Sequence, residues 1–473
     1  RGTSEKNDMF NQLLTTIMKK NLWILAAALC MTACSQNEDI VIEQPVTDSD
    51  FESPDGQLVI QLGGVETRIG ASTAVTRAPL DKLLDGTTAT TNLGIFALAT
   101  YDATTETPIT EENRAEAWGG APNYGILLNN IKAAVTPWTG GKTPNGVANQ
   151  DVQKISLYST DGATAGAVYY YPMQKKYDYT FYGYAPYQGN QTISATNPEI
   201  TFATIDGSQD IIWQKSAAEP IPTNSIYLKK DVTNDTRLTG YKAQYIRQLK
   251  YHFELNQDAA AKLTDYPWIP NINFEHKLAQ LRFSIIPAVD QSTEDQQSVL
   301  NMKVKDITIK SHGTVATLNI LTGEVTFTNT EPLLMRGVSY DTGSNIVFGD
   351  AEADAAGIPV QTFDGNNYTL NGQTNATPWV QGYLMVKPDI SEFKMDVTVI
   401  VPNAEGTPKE LLVSDIPVTA PAPPADSGKT NPLFYAGYYY NVRIGIFATQ
   451  EVNATATLGT WTSGGDPIDV PID

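Results

Sequence analysis

Few side chains of this 473-residue chain have the types and spacing that metal binding or nucleophilic catalysis requires. The whole sequence contains three histidines and two cysteines. A zinc site needs several histidine or cysteine ligands close together, and a nucleophilic cysteine or serine needs a base beside it. No segment has the pattern of a nucleophile elbow, a zinc-protease helix or a phosphate-binding loop. We therefore predict no catalytic residue, no metal site and no cofactor, and expect that the protein is not an enzyme.

One cysteine, Cys34, has a sequence context that predicts lipid attachment. Met18-Lys19-Lys20 precedes the short apolar run 22–29, and Met31-Thr32-Ala33 leads directly into the cysteine. A basic start, a short apolar run and small residues before a cysteine are typical of a bacterial lipoprotein signal peptide. The run is too short to span a bilayer, which takes about 20 residues. We expect cleavage before Cys34 and acylation of its thiol, for example with palmitate.

The charge balance argues against a nucleic-acid partner. The chain has 52 acidic and 32 basic residues and a net charge of −20. A nucleic-acid surface must offset a dense row of phosphates with lysine and arginine. Because 41% of the residues are apolar and only 18% are charged, the composition is typical of a folded, acidic protein.

The elements that must position any site are predicted to be β-strands. Short runs rich in Tyr, Val, Ile and Thr alternate with clusters of Gly, Pro, Asn and Asp, as in β-sandwiches. The run 438–447 places every second residue on one apolar face, which is the period of a strand. Helical patterns are short and few: 111–118, 257–263 and 292–300. We predict an all-β protein with few short helices.

The run around Ala279 changes its phase. It begins with Phe274 and Leu278 in one phase and ends with Leu281 and Phe283 in the other. A one-residue shift moves the apolar side chains of a strand to its opposite face. The sequence therefore predicts either a β-bulge or a switch between two sheets near Ala279.

The length allows about three domains or two large ones, and the change in composition along the chain favours two of about 200 residues each. The boundary is expected between 256 and 270, where Tyr-rich strands give way to strands with alternating apolar and charged residues. The predicted segments are 1–33, upstream residues and signal peptide; 34–56, a flexible tether; 57–265, an N-terminal β-sandwich; and 266–473, a C-terminal β-sandwich.

Six short stretches, taken in their order along the chain, together resemble one protein family. They are the signal that ends at Cys34, Thr76-Arg77-Ala78, the aromatic block 169–187, and the segments 209–212, 274–279 and 437–442. This set is similar to the fimbrillin and minor-fimbria-like proteins of Bacteroides-type bacteria, the subunits of type V pili. The resemblance implies two transthyretin-like β-sandwich domains and a role in a cell-surface fimbrium that serves adhesion.

The resemblance also implies a route of assembly. In that family, a lipidated precursor reaches the outer membrane surface, where an arginine-specific protease removes its N-terminal segment. The vacated groove then accepts a strand from the next subunit, so backbone hydrogen bonds supply affinity and alternate side chains fill pockets. The implied partners are other fimbrial subunits, the protease and a host or glycan adhesion target. Contact with the membrane is expected only through the lipid on Cys34, before maturation.

The segment 57–77 is the predicted removable strand with its cleavage loop. Leu58, Ile60 and Leu62 share one face of this strand. Cleavage is expected after Arg77, because Thr76-Arg77-Ala78 resembles the family site. Arg68 is the alternative site, and both arginines could also be ordinary loop residues.

Two C-terminal segments are candidates for the donor strand that enters a neighbouring subunit. Pro467 and Pro471 weaken the second candidate, because proline cannot donate to a ladder, and a frayed tail remains an alternative for it. The apolar residues of the two candidates are, first, Val452, Ala454, Ala456 and Leu458, and second, Ile468, Val470 and Ile472.

A second hypothesis is a non-polymerising surface lipoprotein that binds a glycan or another ligand through exposed aromatic residues. The block 169–187 could form such a face. However, Tyr179 and Phe181 share one side of a strand, and tyrosine packs well in sheets, so a core role is favoured. His276 is likewise expected to be a hydrogen-bonded core histidine, since no cysteine, aspartate or second histidine lies at ligand spacing.

Overall fold

The computed structural model describes most of the chain beyond residue 50. The described residues form part of one compact unit, Asp50–Asp473, while the other unit, Arg1–Ser49, lies outside them. The predicted boundary between 265 and 266 also lies outside them and stays a prediction. The described ranges are 51–66, 84–85, 88–89, 92–119, 124–136, 153–173, 176–216, 239–247, 269–288, 292–336, 357–370, 372–403, 407–423, 429–448 and 452–460.

Strands predominate in the first half of the described chain. In order, the elements are β1 (Leu62–Glu66), β2 (Leu84–Asp85), β3 (Thr88–Ala89), β4 (Asn92–Asp102), β5 (Thr107–Pro108), α1 (Glu111–Gly119), β6 (Ile126–Thr136), β7 (Gln153–Leu157), β8 (Tyr177–Ala185), β9 (Glu199–Phe202) and β10 (Ile212–Lys215).

The second half is also built of strands, so the predicted all-β class is confirmed. Its elements are β11 (Asn271–His276), β12 (Ala279–Pro287), α2 (Thr293–Ser298), a 3-10 turn (Val299–Asn301), β13 (Lys303–Ile309), β14 (Ala316–Asn319), β15 (Val325–Phe327), β16 (Leu333–Arg336), β17 (Ile358–Pro359), β18 (Thr362–Phe363), β19 (Tyr368–Leu370), β20 (Gln373–Asn375), β21 (Gly382–Val386), β22 (Glu392–Val401), β23 (Lys409–Thr419), β24 (Tyr438–Ile446) and β25 (Val452–Thr460).

Two of the three predicted helices are confirmed, α1 and α2 with its 3-10 turn. Ser292 caps α2, because its Oγ accepts from the Asp295 N–H at 3.2 Å and satisfies one of the first free donors of the helix. The third predicted helix, 257–263, lies outside the described residues.

The N-terminal strands form a sheet that closes on itself. The order is β5-β4-β6-β7-β1-β11-β10-β8, and β8 also pairs with β4. Starting from β4, the path therefore returns to β4 after seven strands and leaves β5 outside the ring. The sequence pattern predicts facing sheets here, whereas the observed sheet is a barrel, which removes the free edges of its strands.

The strand pair that closes the barrel contains a close approach at glycine. Gly94 of β4 is opposite Tyr184 of β8, and a Cβ on Gly94 would lie 2.0 Å from Tyr184 Cε1. The Tyr184 hydroxyl donates to Asn130 Oδ1 at 2.8 Å. The buried tyrosine therefore lies across the backbone of β4, in space that only a glycine leaves free.

The C-terminal strands form two sheets that share one hydrophobic core. One sheet has the order β21-β12-β24-β25, and the other has the order β16-β13-β22-β23, with β17 also beside β13. Apolar residues of both sheets, among them Leu281, Val397 and Val442, belong to one buried cluster. Two sheets that bury their apolar faces against each other form a sandwich.

The chain passes from the barrel to the sandwich within two residues. β11 ends at His276 in the barrel, and β12 begins at Ala279 in the sandwich. Leu278 belongs to the barrel core and Ala279 to the sandwich core. The phase change in the sequence is therefore a switch between sheets, which was one of the two predicted outcomes.

A small sheet, β15-β14-β9, joins the two halves of the sequence. β9 comes from the first half and pairs with β14 of the second half. Leu318 and Ile320, in and after β14, are buried in the same core as the barrel residues. The indole N–H of Trp213 donates to the Ile320 carbonyl at 3.0 Å. The second half of the sequence thus supplies part of the barrel core.

A buried histidine, His312, lies beside the sandwich core. Its Nε2 accepts from the Lys387 N–H at 2.6 Å, and its Nδ1 lies 2.6 Å from the Gly313 carbonyl. The first contact needs an unprotonated Nε2, so the neutral ring carries its proton on Nδ1 and donates it to the carbonyl. Burial, with a smaller effect of the Lys387 charge, lowers the pKa of His312 from 6.5 to about 4.

We predict that Gly94→Ala destabilises the protein, because the added methyl group must displace the buried Tyr184 ring. The expected loss is about 1–3 kcal/mol in the free energy of unfolding, measured by urea titration. Gly119→Ala is the control, since a Cβ there meets nothing within 4 Å. Equal losses in the two variants would contradict the proposed close approach.

We also predict that His312 makes an acid-sensitive contribution to the free energy of unfolding. Its folded-state pKa lies below the unfolded value, so its contribution is present above pH 6.5 and is lost as the pH falls toward 4. The shift corresponds to about 3 kcal/mol. The free energy of unfolding should therefore fall by about that amount more in the wild type than in His312→Gln over this pH interval. Parallel curves for the two proteins would disprove this contribution.

Candidate functional site

The predicted removable strand is a full member of the barrel. β1 pairs antiparallel with β7, with Leu62 opposite Ile155, and parallel with β11, with Gly63 opposite Asn271. It therefore has a hydrogen-bonded neighbour on each side. A strand in this position fills a gap that would otherwise expose two rows of unpaired backbone groups.

The residues before β1 extend the same ladder. The Ile60 N–H donates to the Tyr169 carbonyl at 2.8 Å, and the Tyr171 N–H donates to the Leu58 carbonyl at 2.9 Å. Val59 and Tyr170 form the bridge between these two bonds. The segment 58–66 is thus paired along its length, first with 169–171 and then with β7 and β11.

The three predicted apolar side chains of this segment are buried together. Leu58, Ile60 and Leu62 are 0%, 6% and 1% exposed, and all three belong to the barrel core. Val59, between them, is only half-buried. This is the burial that the alternation predicts for a strand with one buried face. Whether the strand is displaced remains a prediction.

Arg247 binds the turn that precedes the strand. Its Nη2 donates to Glu52 Oε1 and to the Gly56 carbonyl, each at 2.7 Å. Glu52 forms a bridge with Leu58, so this ion pair lies at the start of the buried segment. Sequence patterns do not indicate this contact, because Arg247 and Glu52 are far apart along the chain.

The first donor candidate is paired within its own chain. β25 contains Val452, Ala454, Ala456 and Leu458 and lies antiparallel to β24. It is the last strand of the sheet β21-β12-β24-β25. In this structure β25 therefore completes its own sandwich.

The other predicted site residues lie outside the described residues. They are the lipidation site Cys34, the cleavage candidates Arg68 and Arg77, and the second donor set Ile468, Val470 and Ile472. Their roles stay predictions.

The aromatic block contributes mainly to the core. Tyr179 and Phe181 are fully buried, and Phe181 packs edge to face against Tyr171 and Tyr241. The opposite face of β8 is also covered, since Tyr182 lies against Trp213 with ring centroids 6.4 Å apart. The structure thus agrees with the core interpretation of this strand, which is apolar on both faces because two layers pack on it.

His276 is a buried, hydrogen-bonded histidine, as the sequence predicts. Its Nδ1 contacts Oδ2 of Asp210, which is also buried. Burial raises the pKa of the Asp210 carboxyl, and the neighbouring imidazole opposes part of that shift. The sequence did not indicate this partner, because β10 and β11 bring it close only through their antiparallel pairing.

The described residues contain no cluster of three or more histidine, cysteine, aspartate or glutamate side chains placed to hold a metal ion. Among the same residues, no helix has both the length and the apolar character needed to cross a membrane.

No protein-family model and no curated protein matches the chain. Its structural neighbours include a candidate cell adhesion protein from Bacteroides uniformis, with 14% identity, a TM-score of 0.39, and coverage of 89% of this chain and 100% of that one. A fimbrial protein from Bacteroides vulgatus has 13% identity, a TM-score of 0.33 and coverage of 78% and 93%.

The tip fimbrial protein Mfa3 from Porphyromonas gingivalis, with a C-terminal truncation, is a further neighbour. It has 9% identity, a TM-score of 0.30, and coverage of 85% of this chain and 99% of that one. At these TM-scores the likeness carries no weight for function, which is argued below from the strands of this chain.

We predict that Leu62→Ala destabilises the uncleaved protein by about 2–5 kcal/mol, because it removes a buried side chain and leaves a cavity. Val59→Ala, on the half-buried face of the same segment, should cost less than about 1 kcal/mol. Urea unfolding of the two variants measures the difference. A larger loss for Val59→Ala would mean that the opposite face of the segment is the buried one.

Proposed function

We propose that the protein is a structural subunit of a cell-surface fimbrium that polymerises by β-strand exchange. One observation carries the proposal: β1, the second half of the segment 58–66, fills the gap between β7 and β11 in a closed barrel, and the segment comes from the N-terminal end of the described chain. A strand with this position could leave without cutting the rest of the fold.

The buried face of the segment explains why a replacement strand would be needed. Each fully buried leucine or isoleucine contributes about 1.5–3 kcal/mol relative to an exposed one. Loss of Leu58, Ile60 and Leu62 would leave an apolar groove flanked by unpaired backbone groups. A strand from another subunit with alternating apolar residues could restore both the burial and the ladder.

Both candidate cleavage sites are compatible with this exchange. β1 ends at Glu66, and Arg68 and Arg77 follow it in the sequence. Cleavage after either arginine would place Leu58, Ile60 and Leu62 on the removed piece. We favour Arg77, with an arginine-specific protease as the partner and other fimbrial subunits as the source of the incoming strand.

The same proposal assigns a location. The precursor would be held at the bacterial outer membrane by the lipid on Cys34, and the cleaved subunit would pass into the fimbrium, where it serves adhesion. The alternative of a glycan-binding, non-polymerising lipoprotein loses its main support, because Tyr179 and Phe181 are in the core.

We predict that limited digestion with an arginine-specific protease converts the chain from Ser35 onward into oligomers that resist SDS. Cleavage should occur after Arg77, so Arg77→Gln should reduce oligomers strongly while Arg68→Gln leaves them nearly unchanged. Gel electrophoresis with intact-mass measurement of the released piece provides the readout.

Release of the N-terminal piece without any oligomer would contradict strand exchange between copies of this chain. If Arg68→Gln is the variant that blocks release, the cleavage site is the alternative one. Deletion of 468–473 separates the two donor candidates, because oligomers that persist without these residues would assign the donor to 452–458.

A further inference from the structure

The ion pair just before the removable strand joins Glu52, which cleavage would remove, to Arg247, which would remain. Arg247 and Glu52 have side chains 26% and 22% exposed, with Nη2 and Oε1 2.7 Å apart. Nη2 also donates to the Gly56 carbonyl at 2.7 Å. Within the described part of the chain, both acceptors of this guanidinium lie in the segment 51–66.

Maturation would remove both acceptors at once. Cleavage after Arg68 or Arg77, with loss of the N-terminal piece, takes away Glu52 and the Gly56 carbonyl together. A guanidinium does not lose its proton in proteins. A mostly buried charge without acceptors is costly, so Arg247 would favour any new carboxylate that reaches the same end of the groove.

We propose that Arg247 is a carboxylate-binding site at one end of the strand-exchange groove. It holds Glu52 in the precursor and a carboxylate of the incoming strand in the polymer. This inference rests on the proposed function and adds to it the chemical class of the incoming strand, which is apolar at alternate positions and acidic at its end.

The occupant is the segment 464–473 of a second copy of this chain. Its residues Ile468, Val470 and Ile472 have the same spacing as the three buried residues that leave. Asp466 precedes this set and Asp473 follows it, so an acid is present at either end. The other candidate, β25, is already paired with β24 of its own chain.

The position of Arg247 makes the direction of insertion measurable. Glu52 lies beside Leu58, at the start of the buried segment. If the incoming strand runs in the same direction as β1, Asp466 reaches Arg247. If it runs in the opposite direction, Asp473 does so.

The experiment uses the chain from Ser35 onward, with a tobacco etch virus protease site in place of 71–77 so that Arg247 is not cut. After cleavage, the N-terminal piece is removed by gel filtration in dilute urea. Binding of a fluorescent peptide with the sequence of 464–473 is then measured by anisotropy after return to buffer.

We expect Arg247→Gln to weaken peptide binding about fivefold to tenfold, as for the loss of a charge-assisted hydrogen bond at a partly exposed site. Arg247→Lys should restore part of the affinity. Arg114→Gln is the matched control, because Arg114, in α1, also donates to a backbone carbonyl, that of Ala195 at 2.7 Å.

One of the two peptide variants, Asp466→Asn or Asp473→Asn, should lose the same factor against the wild-type chain and nothing further against Arg247→Gln, and the other should bind as the unaltered peptide does. Equal binding by the wild type and Arg247→Gln, or losses that multiply, would overturn the role of Arg247 and leave strand exchange intact. Failure of the peptide to bind any cleaved chain would overturn 464–473 as the occupant, and with it this proposal, while strand exchange through 452–458 would stand.

The precursor provides a second measurement that does not depend on the folding of Arg247 variants. Glu52→Gln should speed the loss of the cleaved piece severalfold, whereas Asp55→Asn, which removes the same charge from an exposed position in the same turn, should not. Equal rates of loss would count against the ion pair as the retaining contact.

Discussion

The closure of the N-terminal sheet into a barrel depends on β1, which lies between β7 and β11. A barrel has no edges only when each of its strands is paired on both sides. β1 satisfies this requirement for β7 on one side and for β11 on the other. Because β11 leads directly into the sandwich, the contacts of β1 also bear on the strand that connects the two cores.

The barrel and the sandwich have separate hydrophobic cores, but the same chain segments contribute to both. The phase change around Ala279 lets one chain segment bury Phe274 in the first core and Leu281 in the second. β14 adds a further link, since it comes from the second half of the sequence and pairs with β9 of the first, and Ile320, just after it, accepts from the indole of Trp213. Buried polar side chains at this junction contact each other, as His276 and Asp210 do.

Local patterns were sufficient to predict the strands, the short helices and the buried face of Leu58, Ile60 and Leu62. These features depend on period and on neighbours in the sequence. Barrel closure could not be predicted, because it depends on pairing between β4 and β8, and each strand alone also suits an open sheet. The partners Asp210 of His276 and Glu52 of Arg247 were missed for the same reason: the fold, and not the sequence spacing, brings them together.

The two-residue passage between β11 and β12 has a mechanical consequence. A tensile force that passes from the barrel to the sandwich would not meet a slack linker between β11 and β12. β11 and β12 would transmit it directly, and the β9–β14 ladder would share it as a second, parallel path. Since β9 and β14 lie antiparallel with several paired residues, rupture along the strand direction would require shearing these bonds together. The barrel and the sandwich would therefore respond to tension as one stiff element.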